Sequence, residues 1–184
     1  MKQIIKSQAK LSGETTVRLF DKNGNAKKLF NVNFLWKFLN KKFHVDIVIP
    51  FITGNWTFAG IKMNTITTKG KEVTAKQLGG TTTVPVTAIA LGIGTGGTTA
   101  LNSEITTAGG ARGAATVTNT TTDTTGDTEQ WVKTFTFSGS FAITEEGLFD
   151  NNTSGGNMLA YQSFSAINVV DTDTLQITHK VKVA

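Results

Sequence analysis

The sequence predicts a mainly β protein: an antiparallel β-sandwich, or a jelly-roll-like barrel, with one short α-helix near residues 33–42 and an extended loop or arm. Two observations lead there. Threonine is about one residue in six of the 184, and its β-branched side chain suits a pleated, half-exposed surface. Short alternating stretches separated by turn residues fill the last third, the pattern of packed or closed sheets.

The elements follow in chain order. Thr15-Thr-Val-Arg-Leu-Phe20 alternates as a strand, and Asp21-Lys-Asn-Gly-Asn25 supplies the positive φ angles of a tight turn. Lys27-Lys-Leu-Phe30 is the returning strand. Phe34, Leu35, Phe38 and Leu39 recur at helical spacing, with Asn33 or Asn31 as N-cap and Lys41 and Lys42 at the negative end of the helix dipole. Val45–Ile52 reads as a strand that Pro50 places at an edge or break, and Thr57–Met63 as another. Thr65–Gly80, polar and rich in Thr and Lys, reads as a loop or edge hairpin. Val84–Leu91 is a buried strand that runs into a Gly/Thr loop.

From Ala108 to Gly126 the only large apolar side chain is Val117. Such a tract buries little to offset chain entropy, so an exposed arm or long hairpin is expected over about 106–128. Beyond it, Trp131, Lys133, Phe135 and Phe137 share one face of a strand, Phe141–Phe149 continues, and Asp150–Asn157 is dense in turn residues. Met158–Phe164 returns, and the last strand sets Leu175, Ile177, His179, Val181 and Val183 on one side. Residues 1–80 form a basic hairpin–helix–strand segment packed on a sandwich of residues 81–184.

The chemistry is sparse. Absence of Cys excludes disulfides, thiolate catalysis and Cys-based zinc sites, and only His44 and His179 are present. The net charge of +5 is uneven: residues 1–50 carry ten Lys/Arg against three Asp/Glu. A solvated face or an acidic protein neighbour is favoured over nucleic acid for this segment, because nucleic acid needs cations clustered along one face. No run of eighteen apolar residues exists, and the N-terminus lacks the apolar core of a signal peptide, so neither a membrane span nor a signal peptide is expected.

Gly92-Ile-Gly-Thr-Gly-Gly97 follows a strand, but no helix opens directly after it to meet a phosphate. Glu145 and Glu146 point to opposite faces of a strand and form no acid–base dyad. Asp171, Asp173 and the Asp150 turn lack the carboxylates of a Ca²⁺ loop, and His179 is expected as a hydrogen-bonded core or rim residue. No catalytic, cofactor-binding or metal-binding residue is assigned, and the chain is expected not to be an enzyme.

Two stretches carry a resemblance. Ala90-Leu-Gly-Ile-Gly-Thr-Gly-Gly-Thr-Thr-Ala-Leu-Asn-Ser-Glu104, followed by Arg112, resembles a pattern of tailed-bacteriophage virion proteins. Phe141-Ala-Ile-Thr-Glu-Glu-Gly-Leu-Phe-Asp150, followed by Gly155-Gly-Asn-Met-Leu-Ala160, resembles a signature of phage tail-collar fibre and related minor structural proteins. The Arg stands further from the acid than in that pattern, so a Glu104–Arg112 pair is not expected.

The resemblance implies a structural protein of the virion, assembled in the bacterial host cytoplasm. Its implied partners are other virion proteins and copies of itself, in a homo-oligomer. Without a shaft or tip, a capsid-decoration, collar or fibre-anchoring role is expected over a complete receptor-binding fibre. Thr106, Arg112, Val117, Thr121 and Thr125 are the candidate subunit contacts. The alternative, a carbohydrate- or receptor-binding tail-fibre sandwich, would use Trp56, Trp131 and Tyr161 as glycan contacts.

Overall fold

A computed structural model describes residues 10–27, 62–82, 84–97 and 99–183. The expected helix near 33–42, the expected strand at Val45–Ile52 and Trp56 lie outside these residues.

Two five-stranded antiparallel sheets face each other as a sandwich. The first sheet has the order β2 (Lys62–Met63), β1 (Leu11–Phe20), β10 (Thr174–Val183), β7 (Thr128–Thr136), β6 (Thr116–Thr120). The second has the order β3 (Thr65–Ile66), β9 (Met158–Val169), β8 (Phe141–Phe149), β4 (Ala88–Gly92), β5 (Gly113–Ala114). The chain switches sheets twice through a single residue, at Asn64 between β2 and β3 and at Ala115 between β5 and β6. Strands that change sheet in this way form the corners of a sandwich and tie its layers at both sides.

Alternation decides the first sheet. Val17 and Leu19 of β1, and Leu175, Ile177 and Val181 of β10, point inward and are buried, with polar neighbours between them. The β1–β10 pairing runs from Leu11↔Val183 to Phe20↔Thr174, so the N-terminal strand is a full member of the sheet. Each such fully buried aliphatic side chain contributes about 2 kcal/mol relative to exposure. The turn after β1 forms as expected: Gly24 has φ +78°, and the Asp21 carboxylate accepts from the Asn23 and Asn25 N–H groups.

The second sheet is buried on both faces, which is why β4 reads Ala-Ile-Ala-Leu-Gly without polar alternation. Inward, Ile89, Leu91, Ile143 and Leu148 join the main core with Phe135 and Ile177. Outward, Ala88, Ala90, Phe149, Met158 and Tyr161 meet Leu101 in a second cluster beneath the 93–112 segment.

Among the described residues one helix, α1 (Thr68–Leu78), stands where the sequence reading expects a loop or edge hairpin. Thr67 caps it by accepting from the Gly70 N–H at 2.8 Å, and Gly79 ends it. Val73 is its one large apolar side chain in the core, so hydrophobic periodicity gives almost no signal there. Glu72 bridges Lys69 and Lys76 at helical spacing, and these ammonium groups draw its pKa down to about 2.

A polar cluster lies inside the core. His179 and Glu146 are both fully buried, one from each sheet, with Nδ1 2.9 Å from a Glu146 oxygen. The Thr15 hydroxyl donates to the same carboxylate at 2.8 Å, and the Asn64 amide meets His179 Nε2. His179 is thus the hydrogen-bonded core histidine that the sequence implies. The cluster joins β1, β8, β10 and the β2–β3 corner, and a shift of register would leave buried polar groups unpartnered.

Candidate interaction site

The Thr/Gly/Ala tract divides into two parts with different fates. The first, residues 93–97 and 99–112, is packed over the second sheet, and a β-bulge explains how. Register slips between Ile143 and Glu145, so Thr144 and Glu145 both reach the overlying segment, while Glu146 returns to the core. The Thr144 hydroxyl donates to the Gly94 carbonyl, and the Gly94 and Ser103 N–H groups donate to Glu145 Oε1 at 3.2 Å each. The Tyr161 hydroxyl donates to Glu145 Oε2 and accepts from the Gly96 N–H. Burial pushes the Tyr161 pKa up, and the adjacent Glu145 carboxylate adds to the shift.

This arrangement accounts for the Gly-Ile-Gly stretch. A Cβ on Gly92 would stand 2.5 Å from Glu145 Oε1 and 2.9 Å from the Ser103 carbonyl. The glycine lets backbone lie directly against a buried carboxylate. The two adjacent glutamates serve different sites on different faces, as alternation requires. Gly147 likewise sits where a Cβ would be 2.8 Å from Met158 Sδ.

Glu104 and Arg112 do pair, contrary to the expectation from their spacing. Arg112 Nε and Nη2 donate to the two Glu104 oxygens at 2.8 and 2.6 Å, a bidentate contact. Nη1 donates to the Gly155 and Asn151 carbonyls, and the guanidinium stacks 3.5 Å over the Phe149 ring. The intervening chain loops out and returns through Gly109, whose φ is +81°. A Cβ there would meet the Thr136 carbonyl at 1.8 Å. Arg112 is therefore buried within the chain, which does not fit its expected role as a subunit contact.

Backbone from Ser103 to Ile105 also closes the outer edge of β4. The Ile93 N–H donates to the Ser103 carbonyl and the Ile105 N–H to the Leu91 carbonyl, beyond the two residues covered by β5.

The second part of the tract is the β6–β7 hairpin. Asp127 organises its tip by accepting from the N–H groups of Thr122, Asp123 and Thr124 at 2.8–2.9 Å. The Thr124 and Thr122 N–H groups contribute most to holding the Asp127 carboxyl well below the usual carboxylate range. The neighbouring Asp123 pairs with Lys182. Strand β6 follows the sequence Thr-Val-Thr-Asn-Thr and is exposed along four of its five residues. It pairs with β7 from Thr116↔Val132 to Thr120↔Thr128 and is the terminal strand of its sheet. Val117 is 36% exposed, although it opposes the buried Trp131. Thr106, Thr121 and Thr125 are also exposed.

At the hairpin base, Lys133 lies on the same face as Trp131 and Phe135. Its Nζ is 4.8 Å from the Phe135 ring centre and near Gly113, where an added Cβ would be 2.8 Å away. Burial pushes the Lys133 pKa down. No carboxylate pairs with it among the described residues.

The aromatic candidates for glycan contact fare differently. Trp131 is 5% exposed and donates from Nε1 to the Val86 carbonyl, so it is a core residue. Tyr161 is 8% exposed and committed to Glu145 and Gly96. Neither forms an exposed stacking platform. A shallow cleft of about 250 Å³ opens beside Tyr161, lined by Thr65–Thr68, Gly96 and Gly97. Among the described residues no three His, Asp or Glu side chains converge as a metal site.

The sequence signals for the missed features were local. Asp127 follows a Thr-Thr-Asp-Thr-Thr-Gly turn whose backbone it satisfies, and Glu104 and Arg112 are the only charged residues from Thr81 to Thr122. No protein-family model matches the chain, and no curated protein or solved structure matches it either.

Proposed function

We propose that this chain is a non-enzymatic structural subunit of a tailed-phage particle, a capsid-decoration, collar or fibre-anchoring protein that works through contacts with neighbouring subunits. The observation that carries this reading is the exposed β6 edge. It presents five residues of uncharged strand at the border of a well-packed sheet, and such an edge is a template for strand addition from another chain. Support also comes from the resemblance of residues 90–104 and 141–160 to virion proteins.

The charged side chains point the same way. Glu145, Glu146, Arg112 and His179 are spent on internal hydrogen bonds that position loops and sheets. Their fixed geometry suits a rigid building block. Thr106, Val117, Thr121 and Thr125 remain the contact candidates, since each is exposed on the packed tract or its hairpin.

The test is quantitative mass spectrometry of washed phage particles from cells that express the chain. The proposal expects a fixed copy number per particle. Loss of the chain on washing, with particles intact and infectious, contradicts it.

A further inference from the structure

We propose that β6 is a homotypic edge. Two copies of the chain pair β6 against β6, antiparallel, about a two-fold axis at Thr118, and join two five-stranded sheets into one of ten strands. The inference rests on the reading of the chain as an assembly subunit and names its partner: a second copy.

The first argument is the contrast among terminal strands. β3 and β5 are two residues long, and very short edge strands resist pairing with other chains. β6 is five residues long and contains no Lys, Pro, Gly or bulge. It lacks the devices that suppress edge association, and among the described residues only β7 pairs with it.

The second argument is self-complementarity, which an isologous contact demands. Antiparallel pairing about Thr118 sets Thr116 opposite Thr120 of the second copy, Thr118 opposite its own counterpart, and Val117 opposite Asn119. Threonine pairs are favourable across strands, and no like charges are opposed.

Charge then selects the direction. The hairpin tip carries Asp123, which pairs with Lys182 and whose side chain is 66% exposed, and Asp127. Antiparallel pairing about Thr118 places the two tips, each with two carboxylates, at opposite ends of the ladder. Parallel pairing would set tip against tip. A five-residue ladder is a small contact, so the isolated pair is weak and gains strength by repetition in an assembly.

The experiment is sedimentation velocity of the full chain from about 10 μM to about 1 mM. Wild type is expected to self-associate as its concentration rises. Thr118→Lys and Thr118→Glu each place like charges opposite one another and are expected to weaken association about tenfold or more. An equimolar mixture of the two variants is expected to recover association, because opposite charges then meet. Thr118 is exposed, and thermal melts of both variants check that the fold is kept. Three results overturn the pairing: a monomeric wild type throughout, a Thr118→Lys variant that associates like wild type, or a mixture that does not recover. Each separates this pairing from the structural role, which stands or falls on the particle measurement.

Discussion

The two sheets end differently on the side where the chain passes from one to the other. The second sheet ends in a sealed edge: β5 and residues 103–105 cover β4, and Arg112 fastens the overlying segment through a bidentate carboxylate contact. The first sheet ends in the open edge of β6. Both edges come from one tract of similar composition. What separates them is a few anchoring side chains: Leu101, Ile105, Glu104 and Arg112 before residue 113, and none comparable in β6. Small residues leave a segment free to follow whatever its anchors dictate.

Substitution at the sealed edge therefore acts on the fold. Arg112→Ala removes four hydrogen bonds and leaves the partly buried Glu104 carboxylate without its cation. It is expected to destabilise by about 3 kcal/mol or more, read as a lower denaturant midpoint. A loss within about 0.5 kcal/mol would mean that the edge is held without it.

Glu145→Ala is expected to cost somewhat less, about 2 kcal/mol, because the Gly94 and Ser103 N–H groups lose their acceptor. Amide exchange should quicken at those two residues while the β1–β10 ladder stays protected. Equal loss of protection throughout would show that the covering segment and the sandwich unfold as one unit.

The hairpin tip offers a pH handle. Asp127 has a folded-state pKa held below its unfolded value, so its stabilisation is present above the unfolded value of about 4 and is lost as pH falls through the folded value. Thermal stability is expected to fall on acidification below about pH 4, and Asp127→Asn should flatten that slope. An unchanged slope in the variant would assign the acid sensitivity to other carboxylates.

The smallest stability effect belongs to the open edge. Val117→Lys is expected to change stability by no more than about 0.5 kcal/mol while abolishing the proposed pairing of β6 with a second copy. A large destabilisation would place Val117 in the core instead.

Much of this fold is legible in the sequence. The β1 strand and its Asp21–Asn25 turn, the Trp131–Phe135 face, the core strand at Glu145–Phe149 and the inward side of β10 all follow from alternation and turn residues. Helix α1 is not legible by periodicity, because its single core anchor, Val73, makes no stripe. Its signals are the Thr67 cap, the Glu72–Lys76 spacing and the Gly79-Gly80 stop.

The packed half of the tract is hidden for a different reason. Its stability comes from Arg112 and Glu145, whose partners lie elsewhere in the chain and are set by a one-residue bulge. The open half is legible: Val117, Thr121 and Thr125 are exposed because nothing near them in sequence can bury them.

Hydrogen exchange at Thr116–Thr120, compared between the dilute free chain and the proposed phage particle, tests the central claim most directly. The outward-facing amides of β6 are expected to exchange fast in the free chain and to become protected on assembly, with little change in β10. Equal exchange in both states would show that the open edge stays open, and would contradict assembly through β6.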